Sequence, residues 1–189
     1  MVKYAHRKNE FNDPKKYQAL EIDLKAKVSW DCNRLVLGHN WDQINCSFWE
    51  FINECNSDTK LAINIKTAGL AKFLHETAYK SILDKLANYF FFDMAIPDQI
   101  EFQKYFPNNT ACRWSEFENQ HNTGKTDWIW FDYFDAEKNE AEFWYELLQA
   151  TATGAKVVVV DPLMHGTNLY IDLNELDRYG AYGICTDNV

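Results

Sequence analysis

Glu21 and Asp23 stand two residues apart in the stretch Ala19 to Asn40, ALEIDLKAKVSWDCNRLVLGHN. The stretch reads as a strand, a tight turn at Asp31-Cys32-Asn33 and a returning strand from Arg34 to Gly38. Side chains on a strand alternate faces, so both carboxylates point the same way. Their neighbours Ala19, Leu20, Ile22 and Leu24 are of types that belong in a core. Two acids so placed are costly unless something binds them, and a cation is the obvious ligand. The returning strand ends in Gly38-His39-Asn40, which puts a histidine near the pair. The competing structural reading is a solvated edge strand, or ion pairs with Lys25 or Arg34.

The elements that must position these groups follow in order. Val2 to Arg7 is a short apolar run ending in His6-Arg7. Asp13-Pro14 could start a helix of a turn or two, with Asp13 as cap and Pro14 at the first helical position. Ser47-Phe48-Trp49-Glu50 fits a capping box and predicts a helix to Glu54. LAINIK, from Leu61 to Lys66, is a strand. Leu70, Phe73, Leu74, Thr77, Ala78 and Ile82 then recur at helical spacing. YFFFD from Tyr89 to Asp93 is a buried strand, Pro97 to Tyr105 a helix, and Thr110 to Trp114 a strand. Glu116 to Lys125 is polar and reads as a loop. Asp127 to Tyr133 is a strand and Ala136 to Thr151 a helix, with Gly154 where a left-handed cap residue belongs. KVVVV from Lys156 to Val160 is a strand closed by Asp161-Pro162, Asn174 to Tyr179 a short helix, and Tyr182 to Thr186 a last strand.

With Arg34–Gly38 set aside as a hairpin arm, eight strands alternate with helices, and the strands are continuously apolar. That pattern predicts a parallel sheet covered by helices, and eight such strands suggest an α/β fold of the (β/α)8 TIM-barrel type. Such barrels typically run to ~250 residues. This one is therefore expected to be compact, one domain over residues 1–189, with a short first helix and no final helix. His6-Arg7, Asp23, Lys66, Asp93, Asp132, Asp161 and Asp187 all fall at or near strand C-termini, the face on which barrel active sites are built.

Composition bounds the function. The chain has 19 Lys+Arg against 28 Asp+Glu, a net charge of −9, which argues against a broad nucleic-acid surface. Hydrophobic residues are 47% and aromatics 16%, enough for a globular core. The scattered cysteines Cys32, Cys46, Cys55, Cys112 and Cys185 include no CxxC pair and read as reduced thiols, with zinc ligation by cysteine not expected. The opening Met1-Val2-Lys3-Tyr4, with His6 and Arg7 close behind, is not expected to be a signal leader, and no apolar run approaches the ~20 residues of a membrane helix. A cytoplasmic protein is expected, with oligomeric state left open, a homo-oligomer included.

The ordered set AHR, EID, a hairpin ending GHN, NIK, FD and a terminal GAYGICTD resembles the glycerophosphodiester phosphodiesterases, within the TIM-barrel superfamily of phosphatidylinositol phospholipase C-like phosphodiesterases. The resemblance spans nearly the whole chain. It implies a barrel that cleaves phosphodiesters with one divalent cation, Mg²⁺ or Ca²⁺. Position by position, it implies that His6 and His39 are the acid/base pair, that Glu21 and Asp23 are metal ligands, and that Arg7 and Lys66 hold the phosphate. The chain departs from the family pattern at Lys8, where a glycine is usual, at Asn40, where an aspartate is usual, and at Asn64, where the third carboxylate ligand stands. An amide oxygen at Asn64 can bind a hard cation but adds no charge, so affinity should fall.

The chemistry is coherent. Phosphodiester cleavage needs charge neutralised in the transition state, which a cation, Arg and Lys can do. It also needs one group to take a proton and one to give one, and histidine suits both near neutral pH. The expected substrate is a small-molecule glycerophosphodiester or related polyol or sugar phosphodiester. A metal-independent phospholipase C-like lyase and an inactive phosphate-ligand binding protein are the rival readings. Asp93, Asp132, Asp161 and Asp187 are by default strand-end or cap residues. His75 and His121 read as surface residues and Trp114, Trp128 and Trp130 as packing, while His165, in a βα loop, could face the site.

Overall fold

In the computed structural model, which describes residues 1–27, 35–118, 126–135 and 140–189, eight parallel strands carry the architecture. They are β1 (Val2–Ala5), β2 (Ala19–Ala26), β5 (Lys60–Ile65), β6 (Asn88–Phe92), β7 (Ala111–Trp114), β8 (Trp128–Phe131), β9 (Lys156–Val160) and β10 (Gly183–Thr186). Their order is β6-β5-β2-β1-β10-β9-β8-β7. The ladder is not closed between β6 and β7. There a single parallel bridge, Phe91 to Thr110, and the Phe91 N–H donating to the Asn109 carbonyl (2.8 Å) span the gap. Two short antiparallel strands, β3 (Leu35–Leu37) and β4 (Cys46–Ser47), extend β2 beyond the barrel as the hairpin annex.

The strand side-chain period of two sorts the residues into three cores. Leu20, Ile22, Leu24, Leu61, Ile63 and Ile65 face outward and pack under α1 (Phe48–Glu54), α2 (Ala71–Glu76), α3 (Ala78–Leu83) and α4 (Ile96–Tyr105). Ile129, Phe131, Val157, Val159 and Ile184 pack under α5 (Glu140–Ala152) and α6 (Leu173–Arg178). The alternate residues fill the barrel itself: Tyr4, Ala19, Ala62, Phe90, Phe92, Ala111, Trp128, Trp130, Val158, Val160 and Cys185. Trp130 stacks on Phe92 (3.9 Å between centroids) and Trp128 on Phe90 (4.4 Å), so this interior is solid, as barrel interiors are. Stepping two residues on from the interior apolar positions gives His6, Glu21, Asn64, Arg113, Asp132 and Asp187, and a further step gives Asp23 and Lys66. A dry floor thus gives way to a polar mouth.

Several expectations need correcting. The helical spacing from Leu70 to Ile82 belongs to two helices, broken at extended Thr77 (φ −115°, ψ 176°), whose hydroxyl donates to the Phe73 carbonyl (2.8 Å). Ser47 does precede α1, but its side chain makes no capping bond, because Ser47 also pairs with Val36 as part of β4. The Asp13-Pro14 element is a single 3-10 turn, Asp13–Lys15, and Asp13 accepts from the Glu10 N–H (2.8 Å) rather than capping it. Asp23 lies inside β2 rather than at its end, because the strand runs on to pair with β3. The turn at Asp31-Cys32-Asn33, Arg34, His121, much of the polar loop and the first turn expected for α5 lie outside the described residues. Among the described residues, no helix is long and apolar enough to cross a membrane.

Candidate active site

His6 follows β1 directly, and Asp187 follows its parallel partner β10, so adjacent strand ends deliver the two together. His6 Nδ1 lies 3.0 Å from Asp187 Oδ1. The backbone then enters the left-handed region at Arg7 (φ 50°), a conformation costly for a residue with a Cβ. That turn points the Arg7 N–H at Glu21 Oε2 (2.8 Å) and leaves the Arg7 side chain exposed at the rim.

Asp23 is 1% exposed and heavily engaged. Asn9 Nδ2 donates to its Oδ2 (3.0 Å), and the Asp23 N–H donates to Asn9 Oδ1 (2.8 Å). His39 Nδ1 is 3.2 and 3.3 Å from the two carboxylate oxygens, and Lys66 Nζ is 3.3 Å from Oδ1. Gly38 makes this approach: its N–H donates to the Asp23 carbonyl (3.1 Å), and a Cβ there would collide with the Gln43 carbonyl. Both histidines therefore meet a carboxylate through Nδ1. With the proton assigned there, Nε2 is left to accept or give one in the cavity.

Electrostatics splits the acid pair. Burial, then the charge of Asp23, pushes the Glu21 pKa well above the ordinary carboxylate range. Burial also opposes ionisation of Asp23, but Asn9, Lys66 and His39 outweigh it and hold its pKa low. Without a bound cation, the pair carries one proton, on Glu21. Burial lowers the His6 pKa, and the Asp187 hydrogen bond partly offsets this.

Asn64 is the register partner of Asp23 across β2 and β5. Its Oδ1 is buried with no hydrogen-bond partner, a costly state that a ligand would relieve. Two carboxylates on one strand face and an orphaned amide oxygen beside them form an all-oxygen set, the donor type of a hard cation. Among the described residues, no three His, Cys, Asp or Glu side chains gather as a metal cluster, so the set depends on Asn64.

The far side of the mouth holds a second charge cluster. Lys66 Nζ lies 3.4 Å from Asp93 Oδ2, and Asp93 also pairs with Arg113. Arg113 reaches Glu118 (3.6 Å) and, through Nε, Asp132 Oδ2 (3.9 Å). His165 Nε2 is 2.7 Å from Asp132 Oδ1. Asp93 takes a left-handed backbone (φ 67°) just past β6, which swings it into this network. All seven residues expected in the site, with Asp93, Arg113, Asp132 and His165, line one cavity of about 390 Å³ at the C-terminal ends of the strands.

Sequence reasoning passed over Arg113 and Asn9. Arg113 sits two residues beyond interior Ala111, so the strand period alone would have found it. Asn9 carries no comparable signal, because its reach to Asp23 depends on the turn at Arg7. Trp130 lines the cavity while stacked on Phe92, whereas Trp114 faces the outer core and donates to Glu146 (2.9 Å). His75 is exposed on α2 against the rings of Tyr105 and Phe106. Asp161 accepts from Thr186 (2.6 Å) and from the Leu163 N–H (3.1 Å), a strand-end role rather than one in the cavity.

No family model and no curated protein matches the chain. Solved structures do. The glycerophosphodiester phosphodiesterase of Thermotoga maritima superposes with a TM-score of 0.64 at 14% identity, over 99% of this chain and 94% of that one. A glycerophosphodiester phosphodiesterase of Agrobacterium tumefaciens gives 0.61 at 11% identity, over 99% and 95%. At such identities the likeness is one of fold: the chain has the TIM-barrel architecture of these enzymes, as the motif order implied.

Proposed function

We propose that this protein is a metal-assisted phosphodiesterase acting on a glycerophosphodiester or a related polyol or sugar phosphodiester. The observation that carries this reading is the convergence of two carboxylate-held histidines, the Glu21/Asp23 pair and two cationic side chains on one cavity. The fold shared with glycerophosphodiester phosphodiesterases supports it.

Glu21, Asp23 and Asn64 would hold the cation, which supplies charge neutralisation at a phosphate oxygen. Arg7 and Lys66 orient the phosphate and offset its charge. His6, held neutral by burial, takes the proton of the attacking water at Nε2. His39 acts in the form that carries a proton on both ring nitrogens and donates the one on Nε2 to the departing alkoxide as the phosphorus–oxygen bond breaks. The products are a phosphomonoester and an alcohol, and solvent returns the histidines to their starting states. Asp187 and Asp23 fix the two rings through Nδ1, which leaves each Nε2 for proton transfer.

One observation favours a metal-independent lyase as the second reading: Lys66 already places a cation 3.3 Å from Asp23. In that case the substrate's own hydroxyl attacks phosphorus, the bond to the other alcohol breaks and that alcohol leaves with a proton, and a cyclic phosphate is released. Assay of a glycerophosphodiester with Mg²⁺ or Ca²⁺, and again with EDTA, separates the two. Activity that EDTA abolishes supports the hydrolase, and activity that survives EDTA supports the lyase.

A further inference from the structure

Around the barrel, β8 stands four strands from β2 in either direction, so Asp132 faces the acid pair across the mouth. A diester whose phosphate sat among Arg7, Lys66, His6 and His39 would have Asp132, Arg113 and His165 within the same cavity for one of its alcohols.

That cluster holds three unused hydrogen-bonding positions. Arg113 Nε is buried and has no hydrogen-bond partner. Asp132 gives Oδ1 to His165, while its Oδ2 stands 3.9 Å from Arg113 Nε, beyond hydrogen-bond distance. His165 uses Nε2 on Asp132, so Nδ1 has no partner among the described residues. The positions are well fixed. The His165 ring packs on Phe134 (4.5 Å between centroids), and the Phe134 N–H donates to Glu116 (2.9 Å). A donor and an acceptor side by side, each out of reach of the other, suit a group that both accepts and donates.

The charges narrow the choice. Asp93, Glu118 and Asp132 surround Arg113, so no net positive charge is offered to a second phosphate or a carboxylate. An ammonium group could take Asp132 Oδ2 but has no acceptor to offer the buried Arg113 Nε–H. A neutral hydroxyl satisfies both partners, its oxygen accepting from Arg113 Nε and its proton going to Asp132 Oδ2.

We propose that Arg113, Asp132 and His165 form the subsite that reads the alcohol half of the substrate, selecting an alcohol with a free hydroxyl over its deoxy counterpart. The proposal rests on the phosphodiesterase reading for the placement of the phosphate. It adds three residues, none carried over from the family resemblance, that determine specificity.

The test compares glycerol phosphate with propyl phosphate, which lacks the hydroxyls, by calorimetric titration of the whole protein with Mg²⁺ present. Wild type should bind glycerol phosphate at least about tenfold tighter, since a hydrogen bond to a charged group is worth that much. Asp132→Asn, nearly isosteric, and Arg113→Lys, which keeps the charge but loses Nε–H, should shrink that preference to within about threefold. Their affinity for propyl phosphate should change by much less than their affinity for glycerol phosphate, so the ratio of the two reads the lost hydroxyl contact. Equal wild-type affinities, binding of neither compound, or a preference that survives in both variants would overturn the subsite. Diester turnover without a preference removes the subsite and leaves the phosphodiesterase. A preference without turnover of any diester removes the phosphodiesterase and keeps the subsite, as part of a binding protein.

Discussion

Asp23 and Asn64 sit side by side across the β2–β5 ladder, one with both carboxylate oxygens engaged and the other with a buried amide oxygen that has no hydrogen-bond partner among the described residues. If Asn64 completes a cation site, restoring a carboxylate there should strengthen it. Asn64→Asp should tighten Mg²⁺ or Ca²⁺ binding by about tenfold or more, one added charge close to the ion. It should also lower the melting temperature of the metal-free protein, since a third acid joins Glu21 and Asp23. Calorimetric titration and thermal unfolding read the two effects.

The buried proton on Glu21 makes metal-free stability depend on pH. Its pKa rises to about 8 in the folded protein, so the folded state holds a proton that the unfolded state has lost. The stabilisation is complete below the ordinary glutamate value of about 4.3 and is lost as pH rises toward the folded value. In EDTA, the melting temperature of wild type should therefore fall, relative to Glu21→Gln, from about pH 5 to about pH 8. Parallel curves would show that Glu21 ionises normally.

Substituting the histidines should slow the chemical step. His6→Ala and His39→Ala should each lower kcat by about 10²–10⁴-fold while leaving the fold intact, as the loss of one proton-transfer group does elsewhere. Steady-state kinetics on a glycerophosphodiester, with circular dichroism as the folding control, checks this.

Asp187 holds His6 and raises its pKa, against the larger lowering by burial. Asp187→Asn should therefore shift the acid limb of the kcat/KM profile to lower pH and reduce the plateau. Asp187 is largely exposed, so the shift should be small and should shrink further in high salt. A shift toward higher pH would mean that the limb belongs to another group.

Much of the barrel was legible because each strand reports its own burial. In YFFFD and KVVVV both faces are apolar, and the polar residue that ends the run marks the mouth. Glu21 and Asp23 were legible because the strand period fixes their shared face without any tertiary information. The break at Thr77 was not, because apolar spacing runs on unchanged through two helices that both cover the same strands. Asn9 was hidden for a related reason, since its position depends on a left-handed turn at a residue other than glycine. Arg113 was visible in principle, but a lone arginine in a four-residue strand reads as an exposed side chain until the interior face of β7 is traced from Ala111.

The most direct test of the central claim is phosphorus NMR of a glycerophosphodiester incubated with the protein and Mg²⁺ or Ca²⁺ in water enriched in oxygen-18. The account predicts a phosphomonoester resonance shifted by one incorporated label, absent with EDTA and formed at least about 10²-fold more slowly with His6→Ala or His39→Ala. A cyclic phosphate without label, or monoester formed as fast by His6→Ala and His39→Ala as by wild type, would contradict it.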